Sequence, residues 1–253
     1  MDLGLTDRVY VLTGASRGLG FATAEQLVAD GARVVLAGRD AAAAQTAAAR
    51  LGSTEQAVGI GADLAAADTP DRLVETAHTR FGRFDGALIS VGGPPPGSAA
   101  GTEDDQWRSS FESVFLGTVR AARTFTAACT DGGAVALVLS TSVRAPLANL
   151  GISNGLRPGL AVVAKELADE HGPRGVRVVS LLPGRILTDR NRELFAASGD
   201  PQRARAQAEA AIPLRRLGEP AEFGRVAAFV LSPAAGYLTG VAVPVDGGAL
   251  RAF

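Results

Sequence analysis

The chain contains few of the side chains that most often transfer protons in enzymes. Its 253 residues include one lysine (Lys165), two tyrosines and two histidines, and only 5% are aromatic. Its single cysteine, Cys129, excludes an internal disulfide framework and a metal site built on cysteines. Two histidines add too few ligands for most metal sites, so we expect no bound metal.

The chain also lacks a strong net charge and long apolar runs. The 25 basic residues nearly balance the 26 acidic ones, which gives a net charge of −1 and an isoelectric point near 6.2. Such a balance provides no attraction to nucleic acid or to an anionic membrane. No apolar run reaches the ~18 residues of a membrane-spanning helix, and the first residues carry no basic-then-apolar signal. We therefore expect a cytoplasmic protein that binds neither nucleic acid nor membranes.

Apolar segments of strand length alternate with segments of helical periodicity along the whole chain. The first predicted strand covers 8–12 and the last 241–245, and long helical stretches are predicted at 107–129 and 153–171. Alternation of this kind favours a parallel sheet that is covered by helices on both faces. No linker or low-complexity segment interrupts it. We predict one α/β domain over 1–253, a Rossmann-like doubly wound parallel sheet of about seven strands.

A glycine-rich turn directly follows the first predicted strand and begins the first predicted helix. It has the sequence Thr-Gly-Ala-Ser-Arg-Gly-Leu-Gly over residues 13–20. Glycines let a pyrophosphate approach the backbone N–H groups at a helix N-terminus, where the helix dipole favours an anion. The turn therefore predicts a nucleotide site, and the alternative is an ordinary turn or helix cap. The predicted contacts are Gly14, Ser16, Arg17, Gly18, Leu19 and Gly20.

The spacing Gly-x-x-x-Gly-x-Gly resembles the short-chain dehydrogenase/reductase family, and motifs along nearly the whole chain agree with it. These motifs include Asp63-Leu64, Pro183-Gly184 followed by Ile186 and Thr188, Arg-Leu-Gly-Glu-Pro at 216–220, and the segment 238–248. Within the family, the chain is most similar in character to the β-ketoacyl-acyl carrier protein reductases. The resemblance implies further cofactor contacts from Asp63, Leu64, Ser90, Gly92, Arg157, Pro183, Gly184, Ile186 and Thr188.

The same resemblance implies what the protein does and how it is organised. The expected activity is hydride transfer between a nicotinamide cofactor and a carbonyl or alcohol group of a small molecule. The expected assembly is a homotetramer or a dimer, joined through the helices that contain Trp107 and Ser153 and through the last strand. A substrate lid is expected over 189–213.

The end of the second predicted strand bears on the choice between NAD and NADP. Gly38 stands where enzymes that prefer NAD usually place a carboxylate for the ribose 2′-hydroxyl. Arg39 follows it, and Arg39 and Arg17 can hold a 2′-phosphate through charge-assisted hydrogen bonds. We therefore predict NADP(H) as the cofactor. The alternative is that both arginines are solvated surface residues.

The family's catalytic Asn, Ser, Tyr and Lys are only partly kept. Ser140, after a predicted strand, matches the family serine. Ser153 and Arg157 stand where the Tyr and Lys are expected, and Val114 (or Phe115, if the register slips) replaces the Asn. The candidate catalytic residues are therefore Ser140, Ser153 and Arg157, which form a non-standard proton-transfer site. A guanidinium can hold ribose hydroxyls but cannot relay a proton, because it stays protonated.

No other side chain is expected to take over the role of the missing Tyr. Tyr10 lies within the first predicted strand, and Tyr237 lies in the C-terminal turn. His78, His171 and Lys165 lie on predicted helices away from the site. Loss of a positioned general acid typically reduces a rate by ~10²–10⁴.

Three functions are compatible with this pattern. The first is an NADP(H)-dependent oxidoreductase with altered proton delivery. The second is a non-redox enzyme (a dehydratase, cyclase or isomerase) in which residues 140–142, 153 and 154 bind polar substrate groups. The third is a nucleotide-binding pseudo-enzyme. We rank the oxidoreductase first because the cofactor motifs are intact. Arg144 and Arg185 are predicted near the catalytic face, where they would attract an anionic or carrier-bound substrate.

Overall fold

Seven parallel strands form one sheet in the computed structural model, which describes residues 1–196 and 198–252. The strand order is β3-β2-β1-β4-β5-β6-β7. Strands β2 and β3 are added on one side of β1 and strands β4 to β7 on its other side, so the strand order reverses between β1 and β4. The strands are β1 (Val9–Thr13), β2 (Arg33–Gly38), β3 (Ala57–Gly61), β4 (Gly86–Ile89), β5 (Ala134–Val138), β6 (Arg177–Pro183) and β7 (Val241–Val245). The prediction of a doubly wound parallel sheet is confirmed. Ligands bind in such folds at the carboxyl ends of the strands, next to the reversal.

Helices cover both faces of the sheet. They are α1 (Gly18–Ala29), α2 (Ala41–Leu51), α3 (Thr69–Phe81), α4 (Asp104–Ser110), α5 (Gly117–Ala128), α6 (Gly151–His171), α7 (Asp189–Ala196), α8 (Pro201–Ala210) and α9 (Pro220–Leu231). Phe21 of α1 and Phe223 of α9 belong to the core on one face. Phe125 of α5 and Leu160 of α6 belong to the core on the other. Because both faces are covered, strands such as β1 are buried along their whole length.

A π-helical turn, Phe111–Leu116, connects α4 to α5. The helical stretch predicted over 107–129 is therefore helical as far as Ala128, but the prediction did not include this π-helical turn. One aromatic ring of the turn, Phe115, and one of the preceding helix α4, Trp107, pack against α6. A Cβ atom on Gly155 would lie 2.9 Å from the ring of Trp107, and one on Gly159 would lie 2.9 Å from the ring of Phe115. Turns of this kind within helices are rare and are frequent at functional sites.

Two further findings concern what the fold does not contain. Among residues 1–196 and 198–252, no helix is both long and apolar enough to cross a bilayer. The same residues bring together no group of three His, Cys, Asp or Glu side chains that could hold a metal ion. Residue 197 of the predicted lid and residue 253 of the predicted domain lie outside the described residues.

Candidate active site

The glycine turn is packed tightly between β1, β4 and α1. Gly14 adopts a φ of +57°, and a Cβ atom there would lie 2.6 Å from the backbone oxygen of Ser90. A Cβ atom on Gly20 would lie 2.7 Å from the oxygen of Gly14. Arg17, the residue before α1, makes no capping hydrogen bond through its side chain. The first N–H groups of α1 are therefore open to an anion such as a pyrophosphate.

Thr13 and Ser90 join β1 to the chain that leaves β4. The hydroxyl of Thr13 donates to the oxygen of Ser90 at 2.8 Å and accepts from its N–H at 2.9 Å. Residues 89–92 have the sequence Ile-Ser-Val-Gly, and these two hydrogen bonds hold Ser90 against the end of β1. A Cβ atom on Gly92 would meet no heavy atom within 4 Å, so this stretch leaves open space next to the turn.

At the end of β2, Gly38 is closely packed, and the side chains of Arg17 and Arg39 add positive charge nearby. A Cβ atom on Gly38 would lie 3.3 Å from the hydroxyl of Ser16, which leaves little room for a carboxylate side chain. The side chain of Arg17 is 71% exposed. Arg39 is also exposed and makes no ion pair with the described residues. The end of β2 therefore carries no carboxylate at position 38, and two exposed arginines belong to the segments that meet there.

Asp63 and Leu64 follow β3 at the same edge of the sheet. One carboxylate oxygen of Asp63 accepts the N–H of Ala65 at 3.0 Å, and the residue is exposed. The side chain of Leu64 is buried in the core, so only its backbone can face a ligand.

The segment from Pro183 to Thr188 lies against the glycine turn. The N–H of Gly184 donates to the oxygen of Val245 at 3.0 Å, and a β-bridge joins Ile186 to Gly218. The Cγ2 atom of Thr188 lies 3.8 Å from the position of a Cβ on Gly18. The structure thus brings the two predicted ends of a dinucleotide site into one cleft.

Three serines lie together beyond the end of β5. The hydroxyl of Ser140 accepts the N–H of Ser142 at 3.1 Å. The hydroxyls of Ser142 and Ser153 lie 3.3 Å apart, and both residues are buried. Sequence reasoning did not single out Ser142 as catalytic, although its place two residues after Ser140 was a usable signal. We call Ser140, Ser142 and Ser153 the serine cluster.

Arg157 lies one turn of α6 beyond Ser153 and is 6% exposed. Its Nη1 atom donates to the backbone oxygens of Val138 at 2.9 Å and Leu139 at 3.0 Å. Burial, with a smaller contribution from the charge of Arg190, lowers the pKa of Arg157 to about 10. The guanidinium is therefore still charged at neutral pH, and it supports the backbone on which Ser140 stands.

No tyrosine or lysine among the described residues belongs to the serine cluster. The hydroxyl of Tyr10 donates to the oxygen of Leu231, and burial raises its pKa. Tyr237 is fully exposed at a turn. Lys165 forms an exposed ion pair with Asp169 at 3.2 Å. A direct donor of the kind that the family uses is thus lacking in the described cleft.

Two of the side chains that were predicted to contact substrate form hydrogen bonds to the protein backbone in this structure. The amide of Asn154 bonds both the N–H of Leu147 at 3.0 Å and its oxygen at 2.8 Å, so it fixes a loop. Arg144 extends to β7, where it donates to the oxygen of Ala242 at 3.2 Å.

Arg185, also predicted near the catalytic face, lies elsewhere. It lines a cavity of about 530 Å³ whose walls include Glu219 and Glu222 but none of the three serines. Arg216 holds the pKa of Glu222 at about 2 through a hydrogen-bonded ion pair. This cavity is separate from the serine cluster.

Helix α7 lies across the cleft. Arg190 donates to the backbone oxygens of Gly93 at 3.2 Å and Pro94 at 3.1 Å, on the loop after β4. On the opposite side, Glu193 lies 3.9 Å from the guanidinium of Arg17 in the glycine turn. Basic and acidic residues alternate in this segment, which is typical of a solvated helical face, and nothing in that pattern distinguishes Arg190 from its neighbours.

Known proteins of similar sequence and structure cover the whole chain. A family profile described as enoyl-(acyl carrier protein) reductase matches residues 14–249. L-Rhamnose 1-dehydrogenase (NAD(P)(+)) of Azotobacter vinelandii is 33% identical over 254 residues, covering 96% of this chain and 97% of that protein.

Two solved structures cover all of this chain and are covered completely by it. A short-chain dehydrogenase/reductase from Brucella melitensis, a glucose/ribitol dehydrogenase, has a TM-score of 0.92 at 29% identity. L-Sorbose reductase from Gluconobacter frateurii, solved with NADPH and L-sorbose, has a TM-score of 0.90 at 29% identity. With the parallel sheet and the glycine turn already described, these matches establish that the chain is an enzyme of the short-chain dehydrogenase/reductase family.

Proposed function

We propose that the protein is an NADP(H)-dependent oxidoreductase that acts on a carbonyl or alcohol group of a small molecule. The observation that carries this proposal is the uncapped N-terminus of α1 beside two exposed arginines, Arg17 and Arg39, with glycine at position 38. When bound, the cofactor supplies or accepts a hydride at its nicotinamide. Two relatives support a nicotinamide cofactor. The rhamnose dehydrogenase is named as NAD(P)(+)-dependent, and the sorbose reductase was solved with NADPH.

The chain's own residues would hold the cofactor along one line. Gly14, Gly18 and the first N–H groups of α1 would hold the pyrophosphate, and Ser16, Arg17 and Arg39 would hold the 2′-phosphate. Asp63 and the backbone of Leu64 lie toward the adenine side, and the segment 183–188 lies toward the nicotinamide side.

The serine cluster would hold the substrate oxygen. The hydroxyl of Ser140, which is partly exposed, can donate a hydrogen bond to a carbonyl oxygen. Without a base nearby, a serine hydroxyl is a weak acid, so the proton must come through water or from an acidic group of the substrate itself. Hydride transfer is still accelerated when the protein holds the cofactor and the carbonyl carbon in the right orientation. Such orientation lowers the activation barrier by at most about 7–11 kcal/mol.

The segment 189–213 would act as a substrate lid, since Arg190 and Glu193 attach α7 to both walls of the cleft. We also propose a homo-oligomer, a tetramer or a dimer. The family expectation places the interface on the helices of Trp107 and Ser153, and apolar residues are exposed there: Phe111 in the π-helical turn and Val162 on α6.

The test is direct titration of the protein with NADPH and NADH, followed by a panel of ketones and aldehydes with loss of NADPH absorbance as the readout. We expect NADPH binding and slow reduction of some carbonyl compounds. Binding without any turnover over the panel would favour the non-redox alternative, because the serine cluster would then serve another reaction. No binding of either cofactor would contradict the oxidoreductase proposal.

Replacement of Arg39 by Ala is expected to lower the preference for NADPH over NADH by about 10-fold to 100-fold. A hydrogen bond between charged groups contributes about 1.5–3 kcal/mol, and only NADPH carries the phosphate that Arg39 would bind. Dissociation constants for both cofactors, measured by fluorescence, give the ratio. Arg80→Ala, at an exposed position near the end of α3, is the matched control. An unchanged ratio in Arg39→Ala would contradict the assignment.

A further inference from the structure

Arg17 of the glycine turn forms an ion pair with the helix that crosses the cleft, α7. Its Nη1 atom lies 3.9 Å from the Oε1 atom of Glu193, and the two side chains are 71% and 68% exposed. This distance is too long for a hydrogen bond, so only charge attracts the two groups, and solvent screens that attraction. A phosphate forms charge-assisted hydrogen bonds to a guanidinium, at about 2.7–2.9 Å. The pair is therefore weak enough for a phosphate to replace Glu193 at Arg17.

The other end of α7 is held by hydrogen bonds. Arg190 donates to the oxygen of Gly93 at 3.2 Å and to that of Pro94 at 3.1 Å. A Cβ atom on Gly93 would lie 2.9 Å from the guanidinium carbon of Arg190, so a glycine at this position lets the guanidinium lie close to the backbone. Helix α7 thus has a hydrogen-bonded end at the loop after β4 and a loosely paired end at the glycine turn.

Helices α7 and α8 form a unit that can shift without disturbing the cores of the sheet. Among the residues of α7, only Phe195 is buried. It belongs to a small apolar cluster that is separate from the two cores on the sheet and consists of Phe195, Ala208, Ile212 and Leu217. The chain enters and leaves the unit at one place, since the N–H of Leu187 donates to the oxygen of Gly218 at 2.8 Å. Few contacts therefore resist a movement of the loosely paired end of α7.

We infer that Glu193 and the 2′-phosphate of NADP(H) compete for Arg17, so that Glu193 lowers the preference for NADP(H) and bound NADP(H) releases the glycine-turn end of α7. The inference rests on the proposed function, in which Arg17 holds that phosphate. NAD(H) carries no 2′-phosphate and leaves the pair of Arg17 and Glu193 in place. Because coupling between two binding events is reciprocal, a change that removes the pair also strengthens the binding of NADP(H). Glu193 is thus a positioning residue that acts through Arg17.

The variant Glu193→Gln tests the effect on cofactor preference, because it removes the charge and keeps the size of the side chain. We expect NADPH to bind about two-fold to five-fold more tightly, the range for an exposed ion pair, and NADH to bind as it does to the native protein. The gain is expected to shrink at high salt, which screens exposed charges. Fluorescence titration gives both dissociation constants. Glu75→Gln, exposed on α3 and without an ion pair among the described residues, is the matched control.

Limited digestion with trypsin measures the release of α7. Helices α7 and α8 carry four exposed arginines as cleavage sites: Arg190, Arg192, Arg203 and Arg205. Cleavage within a helix requires local opening, so its rate reports how firmly the unit is held. The ligands compared, each at saturation, are adenosine 2′,5′-bisphosphate and adenosine 5′-monophosphate, which differ only in the 2′-phosphate. We expect the bisphosphate to accelerate cleavage of the native protein about two-fold to five-fold over the monophosphate, and Glu193→Gln to show no such difference.

The variant Gly93→Ala loosens the opposite end of α7 without a change of charge. The added Cβ displaces the guanidinium of Arg190, and Gly93 lacks a positive φ, so its backbone accepts an alanine. We expect faster cleavage with either ligand and the same ratio between the two ligands, because Arg17 and Glu193 are unchanged. Loss of the ratio would contradict the inference, since Arg190 and not Arg17 would then control the release.

Three further results would overturn the inference. They are an unchanged ratio of NADPH to NADH affinity in Glu193→Gln, an equal gain in Glu75→Gln, and equal cleavage of the native protein with the bisphosphate and the monophosphate. Each of them leaves the proposed function intact as long as the native protein binds NADPH. Failure of the native protein to bind both NADPH and NADH would contradict the proposed function itself, so the two failures are distinguished by the first titration.

Discussion

The double variant Ser153→Tyr/Arg157→Lys is expected to reduce simple neutral ketones with NADPH ~10²–10⁴ times faster than the native protein. A positioned general acid contributes a factor of this size, which corresponds to about 3–5.5 kcal/mol of activation free energy. In the native chain, the hydroxyl of Ser153 faces only that of Ser142 at 3.3 Å. A phenol beside an ammonium group is a much stronger acid than this hydroxyl pair.

Neutral ketones are the substrates for this comparison because they carry no charge that the change from a guanidinium to an ammonium group at position 157 could affect directly. Ser153→Phe/Arg157→Lys is the matched control, since it adds the aromatic ring without its hydroxyl. Steady-state kinetics on all three proteins give kcat, and NADPH titration verifies that each binds the cofactor. Because Ser153 is buried, thermal unfolding also has to show that the larger ring is accommodated.

Equal rates for the double variant and the native protein, with NADPH bound to both, would contradict our explanation. Proton delivery would then not be the step that the missing Tyr and Lys make slow. A gain shared equally by the phenylalanine control would contradict it as well, because the ring and not the hydroxyl would account for the effect.

The sheet could be predicted from sequence because each strand is a short apolar segment next to a turn. The predicted strand 8–12 differs from β1 by one residue at each end, and the predicted strand 241–245 coincides with β7. In a parallel sheet covered on both faces, inner strands such as β1 are buried along their whole length, so apolar composition marks them. The alternation with helices then fixes the topology.

Two helical features were not predicted. Helix α9 was not predicted, and only the residues at its start, 216–220, were interpreted as a family motif. Its capping box of Glu219 and Glu222 is nevertheless a local signal for a helix start. The π-helical turn Phe111–Leu116 depends on how two aromatic rings fit against glycines of α6, which is a contact between distant parts of the chain. Periodicity within one segment does not contain that information.

The hydrogen bonds of Arg157 are another feature that the sequence alone could not predict. Sequence spacing placed it correctly one turn after Ser153, but not its partners. Strand β4 pairs with β5 only as far as Ile89 with Leu137, so the oxygen of Val138 has no partner on β4. Arg157 fills that gap. Where one strand ends relative to its neighbour is set by the whole sheet, and long arginine side chains reach whichever backbone groups are left open.

The substitution Gly14→Ala is expected to destabilise the protein by about 2–4 kcal/mol and to weaken NADPH binding by roughly 100-fold. At a φ of +57°, an alanine adopts a left-handed conformation that costs roughly 1–2 kcal/mol. Its Cβ would also lie 2.6 Å from the oxygen of Ser90, so Ser90 must move and disturb its two hydrogen bonds with Thr13. Chemical denaturation and NADPH titration measure the two effects.

Gly172→Ala is the matched control, because a Cβ there meets no heavy atom within 4 Å and Gly172 lacks a positive φ. We expect it to change stability by less than about 1 kcal/mol and to leave NADPH binding unchanged. The two readouts of Gly14→Ala separate a folding role from a binding role. If the variant lost stability but bound NADPH as tightly as the native protein, the cofactor would not lie against this turn. The NADP(H) site inferred from the glycine spacing would then be wrong, because the pyrophosphate needs the same close approach to the backbone that the new Cβ obstructs.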